Sequence, residues 1–490
     1  MPGFKYLFLC FSLFLSVEKA AAQTPKGPWS LDDCIVYALS HNAEVRQSAL
    51  DLEASKALQA QAKMGLLPTS IINASHGNNS GRSIDPFTNQ PIVQQFQTSN
   101  LGLNADLNLF SGLQVQNTIK QTSLALKASQ QDLKQTHNTI SLQVALAYLA
   151  VLQNEELLEI ANRQVATAKS QLERAGKLVA AGSLAQSTLA DLQVQAGNDE
   201  LDRINAQNTL QNARLELQQL LNLPVTPDFQ IQKINLTNAV TSNYDKTATD
   251  LYSIAEKTQP SIIGADLRVR STQKGLQAAR GTLYPSLGLF GYVGSNYSSA
   301  VPTRQFVADG SGTSTQEVVS PNQYVLINGT KQYITTLEER PNGGMQDFYY
   351  FDQLDFNLRK AFGVSLTIPI LNSWQARTRI SNAIIARKRA EFLAENTRIK
   401  LRQEIEQAYT NLLSAQTRHE TAQAQAEATT VAYQAAQKRF ENGSVHFVDL
   451  NLAKTNFDRA QSNLVRAKYD LVFRKKILDF YQDKPLTLHE

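Results

Sequence analysis

Residues 101–189 and 362–450 align with each other, without a gap, at a constant offset of 261. Gln114 meets Gln375, Ala147-Tyr148 meets Ala408-Tyr409, Lys177 meets Lys438, Gly182-Ser183 meets Gly443-Ser444, and Leu189 meets Leu450. Single matches are cheap, but an uninterrupted register over that distance marks a duplication, so the fold must be built twice. A fainter copy joins residues 42–70 to 259–287 at an offset of 217, with Leu50/Leu267, Lys63/Arg280, Leu66/Leu283 and Pro68/Pro285. The offsets differ by 44, which places a longer insertion in the second copy, between residues 288 and 361. Each half runs in the same order: helix, strand after the proline, loop, strand, then a very long helical hairpin. The expected division is 23–221 for the first repeat, 222–250 for a linker with one short strand (FQIQKINL), and 251–490 for the second repeat with a long loop at 298–356.

Residues 101–109 read LGLNADLNL, putting Leu101, Leu103, Ala105, Leu107 and Leu109 on one face and Gly102, Asn104, Asp106 and Asn108 on the other. The second copy, 362–370, repeats the alternation with Phe362, Val364, Leu366, Ile368 and Ile370. Nine residues is the lower edge of what a tilted strand needs to cross a bilayer. A water-soluble sandwich with one face on its core would show the same alternation. Only four strands are visible, and membrane barrels begin at about eight and leave no edge in lipid. Lipid-facing strands therefore demand several chains. Pro369 cannot donate to a ladder and is expected near a rim.

From about Ser111 to Ala181 there is no proline, and the residues are mostly helix formers. A helix of that length would be roughly 100 Å long. Leu133, Ile140, Ala147, Asn154, Ala161, Ala168 and Ala175 repeat every seven residues, as do Val144, Val151, Leu158, Val165, Leu172 and Val179. That alternation makes a coiled-coil seam with a left-handed supercoil. A seam so rich in alanine suits a wall one helix thick better than a solid core. It also fits an ordinary coiled coil that holds proteins together.

The first residues, MPGFKYLFLCFSLFLSVEKAAAQ, have the parts of an export signal: Lys5, an apolar run from Tyr6 to Val17, and Ala20-Ala21-Ala22 for cleavage after residue 22. The run is too short to span a bilayer. Its removal would leave a net charge of +3 in place of +4 and Cys34 as the single thiol. No cofactor is implied. Two cysteines and six scattered histidines give no metal-binding spacing, and no triad, phosphate loop or dinucleotide fingerprint supports catalysis. With 47 basic against 43 acidic residues, nucleic acid is not an expected partner.

An exported, duplicated chain with two strands and a long helical hairpin per half resembles the TolC-like outer-membrane efflux proteins. The most specific features are the hairpin tips, RAGKLVAAGSLAQSTLADLQ (174–193) and QKRFENGSVHFVDLNLA (437–453), with WSLDDCIVYALSHNAEVR (29–46) resembling the family's opening helix. The resemblance implies a mainly α fold with a membrane β-barrel: a homotrimer whose twelve strands close one barrel, continued by a helical tunnel through the periplasm. It implies a passive conduit in the bacterial outer membrane, serving tripartite efflux or type I secretion. Gly182, Ser183, Leu184, Gly443, Ser444 and Val445 would then dock a periplasmic adaptor bound to an inner-membrane transporter of the RND or ABC class. Leu101, Leu103, Leu107, Leu109, Phe362, Val364, Leu366 and Ile368 would face outer-membrane lipid. Asp449, with Asp191 in the first copy, matches an aperture carboxylate of the family, and a ring of such acids could hold cations. The alternative for both is an acid favoured at a helix N-terminus. Val445 stands where relatives place a basic latch residue. The rival to the channel reading is an exported periplasmic coiled-coil adaptor or structural protein.

Overall fold

The computed structural model describes residues 27–84, 89–93, 95–224, 229–234, 236, 246–442 and 444–484. The export signal, Gly443 and most of the 225–245 segment lie outside the described residues. Two helices open each half at the fainter offset: α1 (Leu31–His41) and α2 (Ala43–Met64), then α5 (Ala248–Thr258) and α6 (Pro260–Gly281). The hairpins recur at the stronger offset: α3 (Gln114–Ala180) and α4 (Gln186–Leu220), then α8 (Gln375–Glu441) and α9 (Phe447–Tyr481). The matched helices have identical lengths of 11, 22, 67 and 35 residues. α5 starts inside the segment expected to be linker. Of the strand expected at FQIQKINL, the described residues show one parallel bridge, Ile231 to Trp29.

The chain forms two compact units that cut across the repeats. One gathers Met1–Ala57, Leu124–Arg270 and Lys388–Glu490; the other gathers Leu58–Ser123 and Ser271–Arg387.

In the first unit each opening helix packs on its own long helix. Leu31, Cys34 and Ala38 of α1 are buried with Ile140, Val144, Ala147 and Val151 of α3. Leu251 and Ala255 of α5 are buried with Leu401, Ile405, Ala408 and Leu412 of α8, the same positions one duplication later. The heptad seam is thus where apolar burial occurs. Both opening helices begin with reciprocal capping, Ser30 with Asp33 and Thr247 with Asp250. Tyr148 is fully buried. Its hydroxyl faces the carbonyls of Gln232 at 2.5 Å and Trp29 at 3.1 Å, pinning the segments that flank the bridge.

In the second unit β1 (Thr69–Asn79), β4 (Phe96–Ser111), β5 (Ser286–Ser298) and β8 (Arg359–Thr367) form one antiparallel sheet in that order. Two short strands, β2 (Arg82–Ile84) and β3 (Pro91–Val93), pair between β1 and β4. The segment expected as loop 298–356 instead holds a long ribbon, β6 (Arg304–Ile327) with β7 (Thr330–Asp347), and a short helix α7 (Tyr350–Phe356). The ribbon turns at Asn328-Gly329, both at positive φ, which is the two-residue hairpin signal. β8 covers β5 only as far as Gly294. Beyond it α7 takes over, with Asn357 donating to the Asn296 carbonyl and the Ser298 N–H donating to the Gln353 side chain.

Candidate functional site: strand faces and hairpin tips

Residues directly opposite in an antiparallel pair share a face. The register therefore assembles Ile72, Leu103 and Val293 in one row, Leu107, Leu289 and Val364 in another, with Leu101, Phe362 and Leu366 on the same side. Phe362 is 94% exposed and Val364 63%. The opposite face carries Asn73, Asn104, Asp106, Ser365 and Thr367. Its two rings lie over glycines: a Cβ on Gly363 would come 2.7 Å from Phe290, and one on Gly102 would come 3.3 Å from Tyr292. One sheet thus has a mainly aliphatic side and an opposite side that mixes polar residues with Ile71, Phe290 and Tyr292, the sorting being cleanest over Leu101–Leu107 and Phe362–Thr367.

Two residues expected on the apolar face fall differently. A β-bulge interrupts the ladder after Asn108, so Leu109 has no partner and Phe110 takes the place opposite Leu287. Strict alternation from sequence cannot foresee an inserted residue. β8 runs from Arg359 to Thr367, not 362–370, so Ile368 lies past its end, next to the Pro369 that has no N–H for the ladder. The outer edges of β1 and β8 have no partner strand among the described residues.

The first hairpin tip closes by a left-handed cap. Gly182 sits at φ +71°, and the Ser183 N–H reaches back to the Leu178 carbonyl at 2.8 Å. A Cβ there would meet nothing within 4 Å, so only the backbone angle demands glycine. The second tip repeats the bond from the Ser444 N–H to the Arg439 carbonyl at 2.9 Å. Leu184 and Val445, equivalent by the duplication, are both half-buried. The copies differ at the next helix start. The His446 N–H donates to the Asp449 carboxylate at 3.3 Å, whereas Ala185 offers α4 no side-chain cap. Asp449 is therefore a helix-start acid, and Asp191 is exposed within α4. Phe440 and Phe447 pack edge-on across the second tip at 6.3 Å, and Arg174 approaches Glu441 at 3.6 Å between the hairpins.

Sequence reasoning missed a buried ionic cluster. Lys454 of α9 lies 3.0 Å from Asp199 of α4 and 2.8 Å from Asp458, and its side chain is 4% exposed. Gln195 donates to the second Asp199 oxygen at 2.8 Å. Burial works against the Lys454 ammonium, but its bonds to Asp458 and Asp199 outweigh that and raise its pKa. Burial also pushes the Asp458 carboxyl up, only partly offset by Lys454. The spacings Gln195/Asp199 and Lys454/Asp458 are visible in sequence, but nothing there joins them across 255 residues. Among the described residues no helix is long and apolar enough to cross a membrane, and no cluster of three or more His, Cys, Asp or Glu could hold a metal.

A twice-built chain with a two-faced sheet and two capped helical hairpins belongs to the class of outer-membrane channel folds. VceC of Vibrio cholerae, an outer membrane protein, superposes with a TM-score of 0.70 at 16% identity, covering 92% of this chain and 94% of that one. The CmeC outer membrane channel of Campylobacter jejuni gives 0.71 at 16% identity, covering 93% and 87%. The sequence profile described as outer membrane efflux protein matches residues 34–223 and 359–477, and the chain belongs to that family. By sequence it is 24% identical over 272 residues to the probable efflux pump outer membrane protein SepC of Pseudomonas putida, 54% of this chain. That match spans about half, 53%, of the relative's own length. Family and fold together assign the protein to the outer membrane.

Proposed function

We propose that this chain is a passive conduit of the bacterial outer membrane, the channel component of a tripartite efflux or type I secretion system. One observation carries the reading: a four-stranded sheet with a mainly apolar face and two edges that have no partner strand among the described residues. Hydrocarbon tolerates no open strand edge, and four strands are too few to close. Three copies, each adding β1 beside a neighbour's β8, would make a barrel of twelve strands with the polar face lining water. The efflux description of the SepC relative supports the transport reading. The alternative, a periplasmic adaptor or structural coiled coil, has no use for an exposed apolar sheet face.

On this reading Leu101, Leu103, Leu107, Phe110, Phe362, Val364 and Leu366 meet lipid. The tips around Gly182, Ser183, Leu184, Ser444 and Val445, with Gly443, dock a periplasmic adaptor that couples to an inner-membrane transporter of the RND or ABC class. Asp449 can cap α9 and still present its charge to the aperture, since a capping carboxylate has a second oxygen. The equal helix lengths support a division into two repeats, with the second opening at α5, Ala248, rather than at 251. Native mass spectrometry of the detergent-solubilised outer-membrane fraction tests the assembly. A trimer is expected, and a monomer in the soluble periplasm would remove the channel reading.

A further inference from the structure

The apolar face does not stop where β8 does. Ile368, Ile370 and Leu371 are 59, 88 and 95% exposed, and the chain then enters α8 through Ser373 and Trp374, at φ 50° and 66°. Two successive non-glycine residues in the left-handed region are costly, so the indole is held where it is against local preference. Trp374 is 65% exposed, and the Arg377 guanidinium stacks 4.1 Å from its ring centroid. The first repeat has Gly112-Leu113 at this turn, with Gln116 and Thr118 where the second has Arg377 and Arg379. Neither arginine has an acidic partner among the described residues.

Charge is sorted along the same end of the sheet, where α2, α3, α6 and α8 join the strands. The stretches on the helix side of the strands, 54–68, 112–131, 267–285 and 368–390, contain no Asp or Glu at all. At the chain's overall frequency, 43 acids in 490 residues, they would hold about seven. Lys63, Lys120, Lys274, Arg280, Arg377 and Arg379 lie within them, each on a helix close to a strand end.

We propose that this helix-bearing rim is a binding site for anionic phospholipid headgroups, with Leu371 in the acyl region, Trp374 at the interface, and Arg377 and Arg379 on the lipid phosphate. The inference rests on the lipid-facing assignment of the sheet. An aromatic ring belongs at the boundary between hydrocarbon and headgroup. A guanidinium stacked on indole keeps its edge N–H groups free for bidentate contact with phosphate. The absence of acids removes the repulsion that would cancel the attraction.

Only two tryptophans exist, and Trp29 is buried, which makes Trp374 a reporter. The mature protein, with Trp29→Phe, is reconstituted in phosphatidylethanolamine vesicles holding a minor share of phosphatidylglycerol. The bromines that quench indole sit on the chains of one lipid or the other. The expected result is quenching by the brominated anionic lipid as though it were about five-fold enriched at Trp374, and a return to its mole fraction in Arg377→Gln/Arg379→Gln. Five-fold corresponds to the roughly 1 kcal/mol gained by one basic side chain near an anionic surface. If Trp29→Phe fails to fold, the difference between the native chain and Trp374→Phe reads the same signal. Equal quenching per mole of either lipid overturns the proposal. So does a conducting channel quenched by neither, because Trp374 then faces another copy of the chain. A chain that neither inserts nor conducts defeats the lipid-facing sheet itself, a separate result.

Discussion

Replacing Lys454 by methionine isolates what the buried cluster contributes. Methionine keeps most of the aliphatic stem, so packing changes little while the ammonium disappears. Asp199, 6% exposed, and Asp458, 19% exposed, are left facing one another without a cation. Removing one partner of a buried ion pair costs about 3–5 kcal/mol. At a tenfold change per 1.4 kcal/mol, protection of α4 and α9 against amide exchange should fall by roughly two to three and a half orders of magnitude if opening is local. The deficit should depend on pH with a definite sign. Burial already pushes the Asp458 carboxyl up, and without the opposing Lys454 its folded pKa stands further above the roughly 3.9 of an unfolded aspartate. The folded state then binds protons more readily, and stability lost at neutral pH returns as pH falls through that raised value. The triple variant Asp199→Asn/Lys454→Met/Asp458→Asn, which buries no charge, should recover most of the loss at pH 7. Hydrogen exchange on the detergent-solubilised chain at pH 7 and pH 5 measures all of this. Unchanged protection in Lys454→Met, or a deficit that grows on acidification, would refute the reasoning.

Gly182→Ala should loosen the first tip by about 1–2 kcal/mol, since φ is +71° and the space is open, giving faster exchange at residues 178–186 alone. Leu366→Arg should impair insertion by about 2–4 kcal/mol while Ser365→Arg, on the polar face, should not; outer-membrane yield compares them. Tyr148→Phe leaves the Gln232 carbonyl without its hydroxyl donor, while the Trp29 carbonyl keeps the Gln232 N–H, and should cost about 1–2 kcal/mol in denaturant titrations. Asp449→Ala should fray the start of α9 and Asp449→Asn should largely preserve it; if both also alter the cation dependence of single-channel current equally, the charge acts at the aperture as well.

Much of the architecture was legible because it rests on local pattern and on copying. The 261 offset matched the two hairpins to each other, since a helix that must bury the same seam starts and stops at the same signals, while the first long helix, expected from about Ser111 to Ala181, runs from Gln114 to Ala180. Ile140, Val144, Ala147 and Val151 were readable as a stripe because burial follows the heptad. Departures came where a structure adds something that period two or period seven cannot encode. The bulge at Leu109 hands the apolar position to Phe110, and a one-residue insertion has no compositional mark. The β6–β7 ribbon did have its mark, Asn328-Gly329 between Val325-Leu326-Ile327 and Thr330, but polar stretches around it disguised the strands.

The duplication hides as much as it shows, because several of the contacts described above occur where the copies differ. Lys454, Asp458 and Asp199 have Gln193, Gly197 and Ala460 as their equivalents, so none of the three charges is repeated. Asp449 caps where Thr188 stands in the other copy, and Trp374 with Arg377 replaces Leu113 with Gln116. A perfectly repeated chain closed three-fold would give a six-fold wall with identical tips. Each of these substitutions breaks that equivalence at a different place: beside a tip, within a hairpin, and at the end of the sheet. Lys454 joins the second hairpin to Asp199 of the first, alongside the Arg174–Glu441 and Lys468–Glu156 pairs, and it differs from those two in being almost fully buried.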